Sequence, residues 1–396
     1  MKKQEIDHIL SRMLDAYDNV SDLNITVGKP FQVETAGELA VVDMDPPFDE
    51  ITPFQAEIFA LNLLNQNRRL TENLLLEGSC DSSYELPGKA RFRVNVFSQR
   101  GNYSIVLRKL ATKIPTCQEL GIPESFLKIA EEKNGFILVT GATGTGKTTS
   151  LAAVLNEIND ARSVHVVTLE DPVEYDHPHK KSTFNQRELG QDFDSFASGL
   201  RAAMRQAPKV ILVGEMRDRE TIETALHASD SGHLVFSTLH TLDAKETINR
   251  IISMFPGEEQ NRVRLTMSSV LQGIVSQRLI PTLDGKRTAA VEVLVRTPRI
   301  EQLIMEGRDV EIKDAIEEGK EIYGSQSFDQ GILDLFLAKR ISKEEAFIYA
   351  TSASDLKLRM EGLATTMTKE ALKEGEEAPE KVERVFEEDE IFGIKE

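Results

Sequence analysis

The sequence is short of the residues that staple small folds together. Only two of its 396 residues are cysteine, Cys80 and Cys117. Two thiols build neither a disulfide framework nor a four-cysteine zinc site, and they read as buried thiols of a reducing compartment. No stretch approaches ~18 uninterrupted apolar residues, so no transmembrane helix is expected. The opening residues, Met1-Lys2-Lys3-Gln4-Glu5, lack the apolar centre of a signal peptide. These absences predict a cytoplasmic protein with no direct membrane insertion, held to any membrane only through a partner. Positive charge is scarce as well. Lys plus Arg is 47 against 65 Asp plus Glu, a formal charge of −18. Phosphate backbones are bound by clustered positive charge, so a general nucleic-acid coat is disfavoured and no nucleic-acid partner is expected. A local basic groove stays open. No internal repeat is evident.

What is present is enough for a large core. Hydrophobic residues make up 40% and charged residues 28%, which excludes global disorder. At about 150 residues per domain, the length suggests two or three domains.

The patterning divides the chain. Ile6, Ile9, Leu10, Met13, Leu14 and Tyr17 recur at helical spacing over 1–20. Residues 21–45 carry Gly28, Pro30 and Gly37 and read as short strands with turns. Thr52 and Pro53 suit the N-cap and first residue of a helix to about Asn67. Tyr84 to Leu107 alternates, with Phe92, Val94 and Val96 answered by Tyr103, Ile105 and Leu107. That predicts a hairpin about Gln99-Arg100-Gly101-Asn102. Residues 1–110 thus form a small α+β domain, and 111–123, with Pro115, Gly121 and Pro123, read as a linker. From 124 to 362 strand, Gly-rich loop and helix succeed one another, as in an α/β domain with a mostly parallel sheet. Strands are expected at 136–140, 164–169, 210–213 and 234–238, with a helix over 147–158. From about 257 the chain is expected to turn helical, with a helical hairpin over 329–362. Residues 363–396 form an acidic tail. From 361 onward there are twelve acidic and five basic residues, so −7 of the −18 lies there, as in a solvated or disordered segment.

The strongest motif is Gly141-Ala142-Thr143-Gly144-Thr145-Gly146-Lys147-Thr148, a full G-x-x-x-x-G-K-[ST] between an apolar strand and a helix. Its glycines let the backbone wrap phosphates and aim N–H groups at them. The helix N-terminus adds a positive dipole end. Lys147 supplies charge at the β- and γ-phosphates and Thr148 a hydroxyl for Mg²⁺. Thr149 completes the nucleotide-binding stretch. Ile211-Leu212-Val213-Gly214-Glu215 looks like a Walker B strand, its acid at the sheet edge beside the phosphate loop. Glu215 there suits a base that orients or deprotonates water, or a holder of water on Mg²⁺. Glu170-Asp171-Pro172-Val173-Glu174 puts three carboxylates in a strand-end loop, either around Mg²⁺-bound water or as a solvated acidic turn.

His233 and His240 flank the strand 234–238. Fully extended they stand roughly 20–24 Å apart, so direct pairing is not expected, and no third ligand is spaced for zinc. Lone histidines are commonly structural. His177 and His179, either side of Pro178, read as exposed. Arg93 and Arg108 in the N-terminal hairpin are either surface charges or, if that domain packs over the phosphates, arginine fingers.

Four boxes in this order resemble the type II/type IV secretion ATPase superfamily. They are 141–148, 170–174, 213–218 and 231–241. Within the superfamily they are most similar to the type IV pilus retraction ATPases, PilT and PilU, over roughly residues 5–360. The resemblance implies a PAS-like N-terminal domain, a RecA-like ATPase domain and a homo-hexameric ring that binds ATP with Mg²⁺. It places Lys147 and Thr148 on Walker A, Glu174 on the Asp box, Glu215 on Walker B, and His233 and His240 on the His box. Arg93 and Arg108 fall where the family supplies arginines to the nucleotide. Thr148, Glu174 and Glu215 become the metal-side residues.

The P-loop begins at 141 and no C-x-x-C exists, which favours retraction over assembly enzymes. Arg299-Ile300-Glu301-Gln302-Leu303-Ile304-Met305-Glu306 keeps little of a PilT-like motif. Glu311-Ile312-Lys313, Ser327-Phe328-Asp329-Gln330 and 352–358 look more like PilU. The implied function is a motor that drives or assists pilus retraction and twitching motility. The implied partners are an inner-membrane platform protein and a PilT-like motor. A nucleotide-binding scaffold and a secretion or DNA-transfer ATPase stay open as alternatives.

Overall fold

A computed structural model describes residues 2–361 apart from 46, 48 and 112. The acidic tail expected over 363–396 lies outside the described residues. Two sheets organise the chain. The first element, α1 (Lys3–Asp15), buries Ile6, Leu10 and Met13 as its period predicts. Tyr17 lies past the helix end and is exposed.

Strands β1 (Val20–Thr26), β2 (Gln32–Thr35) and β3 (Glu38–Val41) follow. Next is α2 (Pro53–Leu63), where Thr52 and Gln55 form a reciprocal capping box and Pro53 opens the helix. This helix was expected to reach Asn67. It stops four residues earlier because Asn65 and Gln66 both take left-handed backbone, with φ of 50° and 56°. Asn67 then caps a separate helix, α3 (Arg68–Glu77), which the patterning did not reveal.

Strands β4 (Ser79–Leu86), β5 (Ala90–Gln99) and β6 (Asn102–Lys109) complete a six-stranded antiparallel sheet in the order β3-β2-β1-β6-β5-β4. The hairpin turns where the sequence predicts. Gln99 faces Asn102, and Arg100 and Gly101 have φ of 48° and 77°, the double positive φ of a type I′ turn. Alternation sends Phe92, Val94 and Val96 into the core and leaves Arg91 and Arg93 on the other face.

The chain crosses to the second sheet near 110–116. Helices α4 (Cys117–Leu120) and α5 (Glu124–Ala130) already belong to the second core, through Cys117, Phe126 and Ile129. Both cysteines are buried free thiols, and burial pushes Cys80 up to about 11 and Cys117 up to about 12. Each is therefore a protonated, unreactive thiol at neutral pH.

Then come β7 (Gly135–Thr140), α6 (Lys147–Ala161), β8 (His165–Glu170), β9 (Thr183–Glu188), α7 (Phe196–Ala203), β10 (Val210–Val213), α8 (Arg219–Asp230), β11 (Leu234–Leu239), α9 (Ala244–Ser253) and α10 (Gly257–Val270). The expectation that the chain stays helical beyond 257 is corrected here. After α10 it forms β12 (Leu271–Pro281) and β13 (Arg287–Val295), a long hairpin. β12 runs parallel to β7 in mid-sheet, and Gly273 lets α5 and β13 approach it closely. A Cβ there would lie 2.7 Å from Ile129 Cδ1 and 2.9 Å from the Leu294 carbonyl. Helices α11 (Pro298–Glu306), α12 (Ile312–Glu318), α13 (Lys320–Tyr323), α14 (Phe328–Leu337) and α15 (Lys343–Tyr349) close the described chain with a last helical stretch over 353–361.

The second sheet has the order β13-β12-β7-β11-β10-β8-β9, parallel except for β13. β7 is buried on both faces. Phe136 and Leu138 enter one core, Ile137 and Val139 the other. Among the described residues no helix is long and apolar enough to cross a membrane.

Leu138 is fully buried and Leu76 is 85% exposed. Leu138→Ala is expected to cost about 2–5 kcal/mol and Leu76→Ala no more than about 0.5 kcal/mol. Denaturant unfolding of both variants checks this, and equal losses contradict the core assignment.

Candidate nucleotide site

Parallel pairing decides where the motifs meet. Thr140, the last residue of β7, pairs with Leu239, the last of β11, so Gly141 and His240 leave the sheet side by side. Val213 at the end of β10 lies between Ser237 and Leu169, which brings Glu215 and the 170–174 loop to the same edge. Ligands of open α/β sheets bind beyond these carboxyl ends.

The loop itself demands glycine. Gly141 has φ of 143°, and a Cβ there would lie 2.5 Å from the Gln277 carbonyl and 2.7 Å from Thr145 Oγ1. Gly146 takes φ of 87° as the N-cap of α6. Ala142, Thr143 and Gly144 are exposed, and Thr145 Oγ1 donates to the Ala142 carbonyl at 2.9 Å. The cradle is an open shelf ending in a 15-residue helix whose first N–H groups have no helical acceptor.

Lys147 folds back into the loop. Its ammonium donates to the Gly141 carbonyl at 2.7 Å and the Ala142 carbonyl at 3.0 Å. Burial lowers its pKa, and the charge of Glu215 opposes that. His240 Nδ1 lies 3.4 Å from the ammonium and His240 Nε2 lies 3.1 Å from Glu215 Oε1. A neutral ring protonated on Nε2 satisfies both contacts, accepting from Lys147 and donating to Glu215. The other Glu215 oxygen is 2.7 Å from Arg217 Nη2. Burial pushes Glu215 up, but Arg217 and His240 outweigh it and hold its carboxyl below the usual range.

The 170–174 acids behave differently. Burial raises Glu174, against the charge of Arg93 and a hydrogen bond from Thr148. Burial raises Asp171 too, against Arg93 and Arg217. Thr149 Oγ1 lies 3.1 Å from the Tyr175 hydroxyl. Glu170 is buried and accepts from Thr168 Oγ1 at 2.6 Å and Gln186 Nε2 at 3.2 Å. Desolvation pushes it up to about 7 despite both bonds. Gln186 also takes the Tyr175 carbonyl and the His177 N–H, pinning the loop.

The structure therefore gathers Lys147, Thr148, Thr149, Glu174, Glu215 and His240, with Arg93 of the N-terminal sheet set electrostatically against the loop acids. It does not gather all the candidates. His233 stands at the other end of β11, with its Nδ1 3.0 Å from the Ala228 carbonyl. Arg108 faces Arg93 across the strands but donates to Asp22 at 2.9 Å and is largely exposed. His177, expected exposed, is buried and stacks on Phe184 with ring centres 4.6 Å apart, and burial lowers its pKa to about 4. His179 is exposed, as expected.

Arg217 and Tyr175 are partners that the motifs do not single out, and each lies within two positions of a candidate acid, Glu215 or Glu174. A cavity of about 610 Å³ between α7, α8 and α10, lined by Arg201, His227, Phe255 and Arg262 among others, lies apart from this edge.

Magnesium tests well against these donors. Thr148 and Glu174 offer oxygen only, as a hard cation prefers. Among the described residues no group of three or more His, Cys, Asp or Glu side chains forms a metal site. That suits an ion held largely by substrate phosphates.

A parallel sheet with a complete phosphate loop after β7 and an acid after β10, one strand removed from it, defines a P-loop ATPase of RecA-like fold. The family described as type II/IV secretion system protein matches residues 82–324. PilT of Pseudomonas aeruginosa, a type IV pilus retraction ATPase, is 40% identical over 331 residues, covering 84% of this chain and 94% of PilT. PilU of the same organism, a type IV pilus ATPase, is also 40% identical, over 339 residues, covering 85% of this chain and 87% of PilU. A crystal structure of the pilus retraction motor PilT with bound ADP superposes with a TM-score of 0.78 at 39% identity, covering 88% of this chain and 98% of that one. The chain belongs to the type II/IV secretion family, as an ATPase of the PilT/PilU type.

Glu170 supplies a pH test. With its pKa near 7 when folded and about 4.3 unfolded, the folded chain binds that proton more tightly. Its stabilising contribution is full below the unfolded pKa and is lost as pH rises through the folded value. From pH 8 to pH 5 the melting temperature of the wild type is expected to rise relative to Glu170→Gln. A constant gap contradicts the buried-acid assignment.

Proposed function

We propose that this chain is an Mg-ATP-hydrolysing motor that drives or assists type IV pilus retraction, and so twitching motility. It works as a homo-hexamer in the cytoplasm, peripheral to the inner membrane through a platform protein of the pilus machine. The observation that carries the reading is the Lys147–His240–Glu215 chain at the mouth of an intact phosphate loop. The PilT structure with bound ADP supports a nucleotide there.

Backbone N–H groups of 141–148 receive the phosphates of ATP. Lys147 exchanges its carbonyl partners for β- and γ-phosphate oxygens, neutralising charge as it develops. Glu215, kept ionised by Arg217 and His240, orients a water in line with the γ-phosphorus and takes its proton as the new P–O bond forms. The β–γ bridging oxygen leaves with the bonding pair on ADP. Thr148 and Glu174 would hold Mg²⁺, which when bound neutralises phosphate charge. Arg93 adds cationic charge from the N-terminal domain, and Arg108 and His233 act at a neighbouring subunit's nucleotide. Hydrolysis alters the angle between the two domains about residues 111–123, the hinge logic of domain closure. The departures over 299–306 favour work beside a PilT-like motor over fully autonomous retraction.

Glu215→Gln keeps shape and loses the base. Turnover is expected to fall ~10²–10⁴-fold with nucleotide affinity retained, measured by phosphate release and by equilibrium binding. Lys147→Ala is expected to abolish hydrolysis. Lost binding with unchanged turnover per bound ATP in Glu215→Gln would make that residue structural. Pilus retraction in a deletion strain, with and without a PilT-like motor, separates driving from assisting.

A further inference from the structure

One buried carboxylate joins the two domains beside the nucleotide site without serving the chemistry just described. Glu188 ends β9 and is 4% exposed. β4 is the edge strand of the N-terminal sheet, so its outward N–H groups lack a strand partner. One of these, the Ser83 N–H, donates to Glu188 Oε1 at 2.8 Å, and Gln191 Nε2 donates to the same oxygen. The other oxygen, Oε2, accepts from the Val173 N–H at 3.2 Å and lies 3.7 Å from Arg91 Nη2.

The positions of the two backbone donors give this contact its meaning. Ser83 is the cross-strand partner of Arg93. Val173 directly precedes Glu174 in the acidic loop. A single side chain therefore ties the backbone of β4 opposite Arg93 to the backbone beside Glu174, with groups of both domains at each oxygen. Arg93 Nε lies 3.6 Å from Asp81 Oδ1 on β4, the strand that Glu188 holds, and the charge of Arg93 is felt at Glu174 and Asp171, so the placement of that edge matters to the loop acids. A second contact of the same two domains, Arg69 with Asp194 at 3.0 Å, is largely exposed and weaker as a constraint.

We propose that Glu188 is a positioning residue that clamps the edge of the N-terminal sheet, which carries the Arg93–Asp81 pair, to the 170–174 loop and so sets the charge of Arg93 beside that loop. The inference rests on the reading of Arg93 and Glu174 as parts of the ATP site. Glutamine is a sharp probe because it matches the shape yet offers one acceptor oxygen and one NH₂. In Glu188→Gln one of the two backbone N–H groups faces a donor, and that backbone tie is lost. Glu188→Asp keeps the charge, but its shorter stem reaches only one of the two.

The test is steady-state ATP turnover of the full-length, assembled protein for wild type, Glu188→Gln, Glu188→Asp, Arg93→Ala and the two double variants, with melting temperatures alongside. Each Glu188 variant is expected to lower kcat about tenfold while KM stays within about twofold, since misplacement costs rate more than binding. Adding Arg93→Ala to either is expected to slow it no further, because Arg93 has already lost its place. Effects that multiply in the double variants, or a normal kcat in a folded Glu188 variant while Arg93→Ala is slow, overturn the clamp and leave the site reading intact. An Arg93→Ala enzyme with wild-type turnover removes Arg93 from the site, and the clamp falls with it. Should Glu188→Gln not fold, Glu188→Asp carries the same comparison.

Discussion

The contact between Lys147, His240 and Glu215 depends on strand register more than on any local feature of those residues. Their loops leave three adjacent parallel strands, and a slip of one residue between β7 and β11 would turn Thr140 and Leu239 to opposite faces. Register is secured because β7 buries both faces. Each face feeds a different apolar core, so neither can be exchanged for solvent. The packing of two cores is thus what holds a lysine ammonium within reach of a histidine ring.

Around that contact the carboxylates are sorted by environment. Glu215 is only partly buried and has two cationic or proton-donating neighbours, so it stays ionised. Glu174 and Asp171 are pushed the other way by burial and depend on arginines to offset it. Glu170 carries a full desolvation penalty that two hydrogen bonds and the charge of Arg91 offset only in part, and it sits near neutrality. Acids with separated pKa values on one sheet edge can hold different roles. The charge of Arg93 is felt at this edge from the other domain, so the electrostatics of the loop acids depend on how that domain's sheet is held.

Much of the fold was legible along the chain, for reasons that can be named. Alternation in Phe92-Arg93-Val94-Asn95-Val96 is the signature of a sheet with one buried face, and Arg100-Gly101 tolerates the φ values of its turn. Apolar runs such as Phe136–Thr140 mark strands buried on both sides. The same logic missed β12. Leu271–Pro281 mixes Gly273, Ser276, Gln277 and Arg278 into its run, and it is a central strand because β7 needs a partner on that side. The end of α2 was missed because two non-glycine residues adopt left-handed backbone, which side-chain type rarely announces.

The sequence alone determined the phosphate loop, since the glycine spacing and Lys147 leave little else that a strand–loop–helix of that composition can bind. It determined the identities of Glu174, Glu215 and His240 as residues at strand ends, through the apolar runs before them. It determined the two-domain plan, through the change from period-two alternation to alternating strand and helix. Tertiary structure decided which of these residues meet. His240 reaches Glu215 while His233, in the same motif, is carried to the opposite end of β11 by a six-residue strand. It decided that the charge of Arg93, paired with Asp81, is felt at the loop acids while Arg108, its cross-strand neighbour, is taken by Asp22. Glu188 acquires its role only in the fold, where the Val173 N–H from the adjacent loop and the Ser83 N–H from the other domain close onto its carboxylate. Burial and partnership are properties of three-dimensional neighbours, and for these residues the neighbours lie up to about a hundred positions away.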